Sequence, residues 1–239
     1  MKAVILAAGL GSRLRPITDN VPKCMVEVNG IPIIDKQIDN LRRNGVTEVA
    51  IVSGYKAELL RSHIKKDFPF VTMIRNLRYE ETNNMYSLFL AKGFVNGEEF
   101  LLMNGDVYFD SSVIEGLLAS QDKSLIACDR REYLDESMKI TLENGKISHI
   151  SKKISKEDHY AVSIDVYRIS KRDCAALFSE IDDIIIRQGD EKSWTEVAID
   201  KVFDRTSFLP YVITGRWVEI DNHDDLAIAQ AIFTGDSLS

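Results

Sequence analysis

The sequence predicts an α/β fold: a Rossmann-like, mostly parallel mixed sheet flanked by helices, with a small inserted lobe that contains a β-hairpin. Three observations predict it. Short apolar runs at residues 4–6, 48–53 and 70–74 alternate with stretches of helical periodicity, which is the pattern of βαβ units. Late in the chain, Glu143-Asn144-Gly145 separates two strand-like runs, a strong hairpin signal. No Pro/Ser linker, internal repeat or low-complexity run interrupts the 239 residues. The chain therefore reads as one domain, 1–239, with the inserted lobe at 129–215.

Taken in order, residues 4–6 form a buried opening strand followed at once by small residues, Ala7-Ala8-Gly9-Leu10-Gly11-Ser12. Residues 25–28 read as a brief strand ended by Asn29-Gly30. Ile33, Ile34, Ile38 and Leu41 recur at helical spacing, and Asn44-Gly45 supplies the stop. A second buried strand, 48–53, ends at Gly54; 56–66 reads as a surface helix and 70–74 as a third strand. Met85, Leu88 and Phe89 start a further helix, for which Thr82 or Asn83 is an N-cap. Residues 99–103 form a fourth strand and 124–128 another. The hairpin pairs 139–142 with 146–150, and 160–169 alternates as a strand. Helices are expected at 170–187 and 193–204, a strand at 208–213 and a closing helix at 222–235.

The composition is that of a soluble globule, with 45% hydrophobic and 28% charged residues. A net charge of −7 argues against a general nucleic-acid surface, which needs a basic face. Cys24, Cys128 and Cys174 are odd in number and widely spaced, which reads as reduced thiols rather than disulfides or a zinc site. No signal peptide fits and no apolar run approaches the ~20 residues of a membrane span. The expectation is a cytoplasmic protein with no nucleic-acid or membrane partner. His63, His149, His159 and His223 form no ligand-spaced cluster and no nucleophilic triad.

The stretch VILAAGLGSRLRPITDNVPK, residues 4–23, carries the chemistry. Glycines directly after a strand let backbone N–H groups close on an anion, because no Cβ blocks the approach. Arg13 offers a planar, permanently charged fork to phosphate oxygens. Lys23, behind Pro22, adds a point-like cation on a rigidly aimed segment. These groups suit a triphosphate held for attack at one phosphorus. The loop is not a dinucleotide fingerprint, since Leu14 stands where the third glycine would fall, and it lacks the Gly-Lys-Ser/Thr of a Walker loop. Downstream, Asn104-Gly105-Asp106 puts an acid at the carboxyl end of a strand, a suitable place to hold Mg²⁺.

The ordered set LAAGLGSRL then PK resembles the signature of the nucleotidyltransferases that join an NTP to a phosphorylated small molecule. The later motifs strengthen that likeness. Asn83-Asn84-Met85-Tyr86-Ser87-Leu88 resembles the base-recognition segment of the phosphocholine and phosphonate cytidylyltransferases, where sugar-nucleotide members show glutamine and glycine. The pairing of Gly105-Asp106 with Trp217-Val218-Glu219-Ile220-Asp221 resembles the family's two metal-holding aspartates. The resemblance implies catalytic roles for Arg13 and Lys23. It implies a nucleotide site of Leu6, Ala7, Ala8, Gly9, Gly11, Ser12, Gly54, Asn83, Asn84, Ser87 and Gly105. It further implies a Mg²⁺ site of Asp106 and Asp221, with Glu219 as a nearby auxiliary or structural acid. The departure is Cys24-Met25, where the family commonly has Pro-Leu after Pro-Lys.

For the acceptor, Met138-Lys139, Asn144-Gly145 and Ile150-Ser151-Lys152 resemble segments of small-substrate cytidylyltransferases in which lysines meet the acceptor's phosphate. Lys139, Lys152 and Lys153 are the candidates, with one of the last two expected in solvent. Asp158, Asp165 and Glu196 with Tyr160 and Trp194 offer acid plus aromatic, the chemistry for an ammonium group. The reading is a Mg²⁺-dependent transfer of CMP from CTP to an amine-bearing phosphorylated acceptor such as phosphocholine, aminoethylphosphonate or a phospho-amino acid. Pyrophosphate is released, and the product serves cell-surface polysaccharide or lipid decoration. The alternatives are a sugar-1-phosphate nucleotidyltransferase using UTP or dTTP, and an inactive nucleotide-binding regulatory subunit. The acceptor is left open, as is the oligomeric state, for which a homodimer is the candidate.

Overall fold

The computed structural model describes residues 1–120, 122–131 and 133–238. The chain opens with β1 (Lys2–Ala7) and three helical turns, at Ser12–Leu14, Ile17–Asp19 and Lys23–Met25, then the short pair β2 (Glu27–Val28) and β3 (Ile31–Pro32). Helix α1 (Ile33–Arg43), β4 (Glu48–Ser53), α2 (Ala57–Asp67) and β5 (Thr72–Arg75) complete the first βαβ units. There follow α3 (Asn84–Leu90), α4 (Lys92–Val95), β6 (Phe100–Asn104), β7 (Val107–Phe109), α5 (Ser112–Ala119) and β8 (Ser124–Asp129). The hairpin is β9 (Lys139–Glu143) and β10 (Lys146–Ser151), joined to β11 (Ala161–Ile169). The chain ends with α6 (Lys171–Asp182), α7 (Thr195–Lys201), β12 (Phe208–Val212), β13 (Trp217–Glu219) and α8 (His223–Ile232).

The main sheet runs β10-β9-β11-β6-β1-β4-β5, with β8 also on β11 and β12 on β8. β1 pairs in parallel with β4 and β6, and β4 with β5, whereas β11 lies antiparallel to β6. The central strand β1 is buried from Ala3 to Ala7 because helices cover both faces of the sheet. One core lies under α3, α6 and α7 and continues to Ile140, Ile147 and Ile150 of the hairpin. A second lies under α1, α2 and α5, where Ile34, Ile38 and Leu41 supply the periodic face. Asn44 and Gly45 end α1 as expected. Gly45 adopts φ 76° and Val46 donates back to the Leu41 carbonyl at 3.0 Å.

Two departures from regularity position the site. β11 carries a bulge between Ser163 and Tyr167, with Asp165 at φ 57°. Such an insertion re-aims one side chain out of the alternating pattern. The late strand β13 pairs antiparallel with β7, Glu219 opposite Val107, outside the main sheet. Ile220 then donates to the Asp106 carbonyl at 2.9 Å, which brings two acids more than a hundred positions apart in sequence side by side.

Candidate active site

The cleft opens at the carboxyl ends of β1 and β6, where α/β sheets place their ligands. It encloses about 270 Å³ and is lined from the first loop by Leu6, Ala8, Gly9 and Arg13. Gly11 sits at φ +62°, and a Cβ there would meet the Lys23 Cβ at 2.9 Å, so only glycine lets the loop close on the lysine. Thr18 donates to the Gly11 carbonyl at 2.9 Å and Tyr55 to the Thr18 carbonyl at 3.0 Å, fixing the loop from behind.

Lys23 lies between two carboxylates, with Nζ 2.6 Å from Asp106 and 2.5 Å from Asp221. Arg13 reaches the second oxygen of Asp221 at 2.7 Å. Burial disfavours the Lys23 ammonium, but the two aspartates outweigh it and hold its pKa above the ordinary lysine range. Burial likewise opposes ionisation of Asp221, and Lys23 overcomes it, holding that carboxyl below its usual value. Oxygens of Asp106, Glu219 and Asp221 lie within 4.8 Å of one another. Oδ1 of Asp106 is buried and has no hydrogen-bond partner among the described residues. Three hard carboxylate donors, one of them with an oxygen unsatisfied, fit Mg²⁺. Burial, then Asp165 and Asp106, push the Glu219 carboxyl well above its ordinary value, a cost that a cation at this place would relieve.

The far end of the cleft is acidic. Asp165, carried outward by the bulge, accepts from Asn104 and from the Tyr167 hydroxyl, each at 2.9 Å. The same hydroxyl lies 2.8 Å from Glu196. Both acids line the cleft with Lys152 and Trp194, and Lys152 Nζ stands 5.0 Å above the Trp194 ring. Burial, then the Glu196 charge, push Asp165 up to about 7, and burial raises Glu196 as well.

A cation-balanced acid triad at one end of the cleft, a glycine loop beside it and a second acidic pocket opposite describe a site for a polyanion and a smaller second substrate. Comparison with known proteins agrees. The family profile described as "Nucleotidyl transferase" matches residues 2–164. The chain belongs to the nucleotidyl transferase family. It is 28% identical to the CTP:phosphoglutamine cytidylyltransferase of Campylobacter jejuni over 95% of this chain and 98% of that one. Over 92 residues it is 46% identical to the choline-phosphate cytidylyltransferase of Streptococcus pneumoniae, 38% of this chain and 39% of that protein. The solved CTP:phosphocholine cytidylyltransferase of Streptococcus pneumoniae superposes with a TM-score of 0.82 at 26% identity, covering 98% of this chain and 99% of that one.

As a nucleotidyl transferase the chain is an enzyme, and the structure sorts its sequence-predicted site residues. Leu6, Ala8, Gly9, Arg13, Asn83, Asn84, Ser87, Asp106, Asp221, Lys152, Trp194 and Glu196 line the cleft or its acid triad, with Lys23 bonded to that triad. Ala7 is buried and Ser12 exposed, beside the cleft rather than on its wall. Gly54 serves packing, since a Cβ there would stand 2.5 Å from the Tyr79 Cβ. Gly105 donates to the Leu6 carbonyl at 2.8 Å and fastens β6 to β1.

The acceptor set is only partly brought together. Lys139 points inward on β9, fully buried, and donates to the Asp135 carbonyl at 2.8 Å beneath the Tyr133 ring. Lys153 is exposed, so of the lysine pair Lys152 faces the cleft. Asp158 is exposed and accepts from Ser155 at 2.8 Å within its own turn. Tyr160 packs on the core with Arg130 4.7 Å over its ring. The three cysteines are buried and free. Sequence reasoning did not single out Asn76, Tyr79, Asn104 or Ser137, which also line the cleft. Asn76 directly follows β5 and Asn104 ends β6, and for these two the signal that could have found them is that strand-end position. Tyr79 and Ser137 lie in loops with no such signal.

Proposed function

We propose that this nucleotidyl transferase is a cytidylyltransferase that moves CMP from CTP to a small, amine-bearing phosphorylated acceptor, with Mg²⁺ and release of pyrophosphate. The observation that carries the reading is Lys23, clamped between Asp106 and Asp221 beside the glycine loop. The likeness to relatives named for CTP supports the choice of nucleotide. Asp106, Asp221 and Glu219 would hold Mg²⁺, which supplies charge neutralisation at the phosphates. The acceptor's phosphate oxygen is already an anion, so no general base has to remove a proton. It attacks the α-phosphorus in line and pyrophosphate leaves. Lys23 and Arg13 offset the charge that develops on the phosphoryl oxygens, and the backbone of Gly9 gives the triphosphate close approach. Lys152 meets the acceptor's phosphate, and Asp165 and Glu196 receive its ammonium beside Trp194. A cytoplasmic enzyme feeding cell-surface polysaccharide or lipid decoration fits this chemistry, and buried free thiols fit a reducing compartment.

The test is pyrophosphate release with each NTP against phosphocholine, 2-aminoethylphosphonate, phosphorylated amino acids and hexose-1-phosphates. We expect CTP to exceed UTP by about a hundredfold in kcat/KM, since a base pocket with unpaired polar groups rejects the wrong base strongly. Equal use of UTP, or a preference for dTTP with hexose-1-phosphates, overturns the proposal in favour of sugar activation. No turnover at all with nucleotide bound supports a regulatory subunit.

A further inference from the structure

Helix α7 presents an acid and an indole to the cleft from its first turn, yet it begins at a residue unable to cap it. Its N-cap is Trp194, whose side chain makes no capping hydrogen bond. A helix start leaves several backbone N–H groups without partners, and an indole offers no acceptor for them. The missing cap comes from another helix. The amide oxygen of Asn84 accepts from the Thr195 N–H at 2.8 Å. The Asn84 amide also lies near enough to the Glu196 carboxyl to favour its ionised form. One carboxamide thus holds the backbone between Trp194 and Glu196 and touches the acid itself.

Asn84 is in turn held firmly. It is the first residue of α3, and its own N–H donates to the Asn83 side-chain oxygen at 2.8 Å. Asn83 then ties the same two segments together a second time. Its backbone N–H reaches the Glu191 carbonyl at 2.9 Å and its side-chain amide reaches the Lys192 carbonyl at 3.1 Å. Arg78 grips the Glu191 carboxylate with two bonds, at 2.8 and 2.6 Å. Each asparagine oxygen therefore already accepts a bond inside the protein, which takes up part of the capacity a base reader would keep for the nucleotide.

We propose that Asn84 is a positioning residue for the acceptor, a cap supplied to α7 from α3 that sets Glu196 and Trp194, and that it does not discriminate the nucleobase. The proposal rests on the cytidylyl reading for its kinetic arm and on the fold alone for its spectroscopic arm. Asn84→Ala removes the bond to the Thr195 N–H and the amide beside Glu196. Asn84→Asp keeps an oxygen facing the Thr195 N–H while losing the donor to Glu196.

In steady state with CTP, Mg²⁺ and either phosphocholine or 2-aminoethylphosphonate, Asn84→Ala should raise the acceptor KM about tenfold, the size of one lost buried hydrogen bond. The KM for CTP and the CTP-to-UTP ratio of kcat/KM should stay within about twofold of wild type. The chain has two tryptophans, so Trp217→Phe leaves Trp194 as the single indole. In that background Asn84→Ala should shift Trp194 emission and increase its quenching by acrylamide, and Asn84→Asp should restore both. This second arm needs no turnover, so it stands even where CTP proves to be the wrong nucleotide. A changed CTP-to-UTP ratio with an unchanged acceptor KM overturns the proposal. So does a Trp194 signal that Asn84→Ala leaves unmoved in a protein whose circular dichroism shows it folded.

Discussion

Lys23 shows how one side chain can be both a structural and a chemical cation. It neutralises two half-buried acids at 2.6 and 2.5 Å, and those same acids guarantee that it stays charged. Lys23→Ala should therefore lower kcat on the order of 10²–10³, the usual loss for one transition-state contact. It should also leave Asp106, Glu219 and Asp221 facing one another with only Arg13, on Asp221, as counter-charge. The variant's melting temperature should then rise more on adding Mg²⁺ than that of wild type. Near wild-type turnover would make Lys23 a structural lysine only. This residue was legible in the sequence because Pro22 and the glycine loop surround it with one chemical theme. Lys139 was not. A lysine is ordinarily solvated, and only the inward register of β9, with the Asp135 carbonyl waiting for the ammonium, reverses that default.

Asp221 owes its place to the element that follows it. Asn222 caps α8 by accepting from the N–H groups of Asp224 and Asp225, at 2.8 and 3.1 Å. Asp225 returns the favour to the N–H groups of Asp221 and Asn222, at 2.9 and 3.1 Å. This capping box pins the backbone of a residue of the proposed Mg²⁺ site to a helix end. Asn222→Ala should cost about 1 kcal/mol of stability and raise the Mg²⁺ concentration for half-maximal activity. Thermal melting and a Mg²⁺ titration check the two effects, and an unchanged Mg²⁺ requirement would separate the cap from the site. At this scale the sequence was informative about element type and poor about partners. The alternation of Val218 and Ile220 with Glu219 and Asp221 is visible, but nothing local says that β13 pairs with β7. The helix expected over 170–187 likewise runs regularly only to Asp182, then widens into a π-helical turn at Asp183–Arg187.

Across the whole molecule, the order of the sheet decides which acids meet. β11 enters antiparallel beside β6, and its bulge turns Asp165 toward Asn104 and the cleft. The sequence offered Asp165 as an acceptor acid, but it shows only the alternation of a strand and not the positive φ that aims this side chain. Its consequence is a pH dependence. Asp165, Glu196 and Glu219 are each raised first by burial; the Glu196 charge adds to this at Asp165, and Asp165 and Asp106 add to it at Glu219. A carboxyl raised in the folded state binds its proton more tightly there than when unfolded. The stability it contributes is complete below its unfolded value of 3.8 and is lost as pH climbs through about 7. Asp221 is shifted the other way, but its window lies below its ordinary 3.8. Without Mg²⁺ or substrate, the melting temperature should thus fall between about pH 4 and about pH 7. Asp165→Asn should flatten that fall. The amide's oxygen can still accept from Asn104, and its NH₂ can donate to the Tyr167 hydroxyl, while the charge that costs stability at high pH is gone. The variant should melt above wild type near pH 7 and close to it near pH 4. A wild-type melting temperature that rises across this range, or a slope that Asp165→Asn leaves intact, would remove Asp165 from the control of stability.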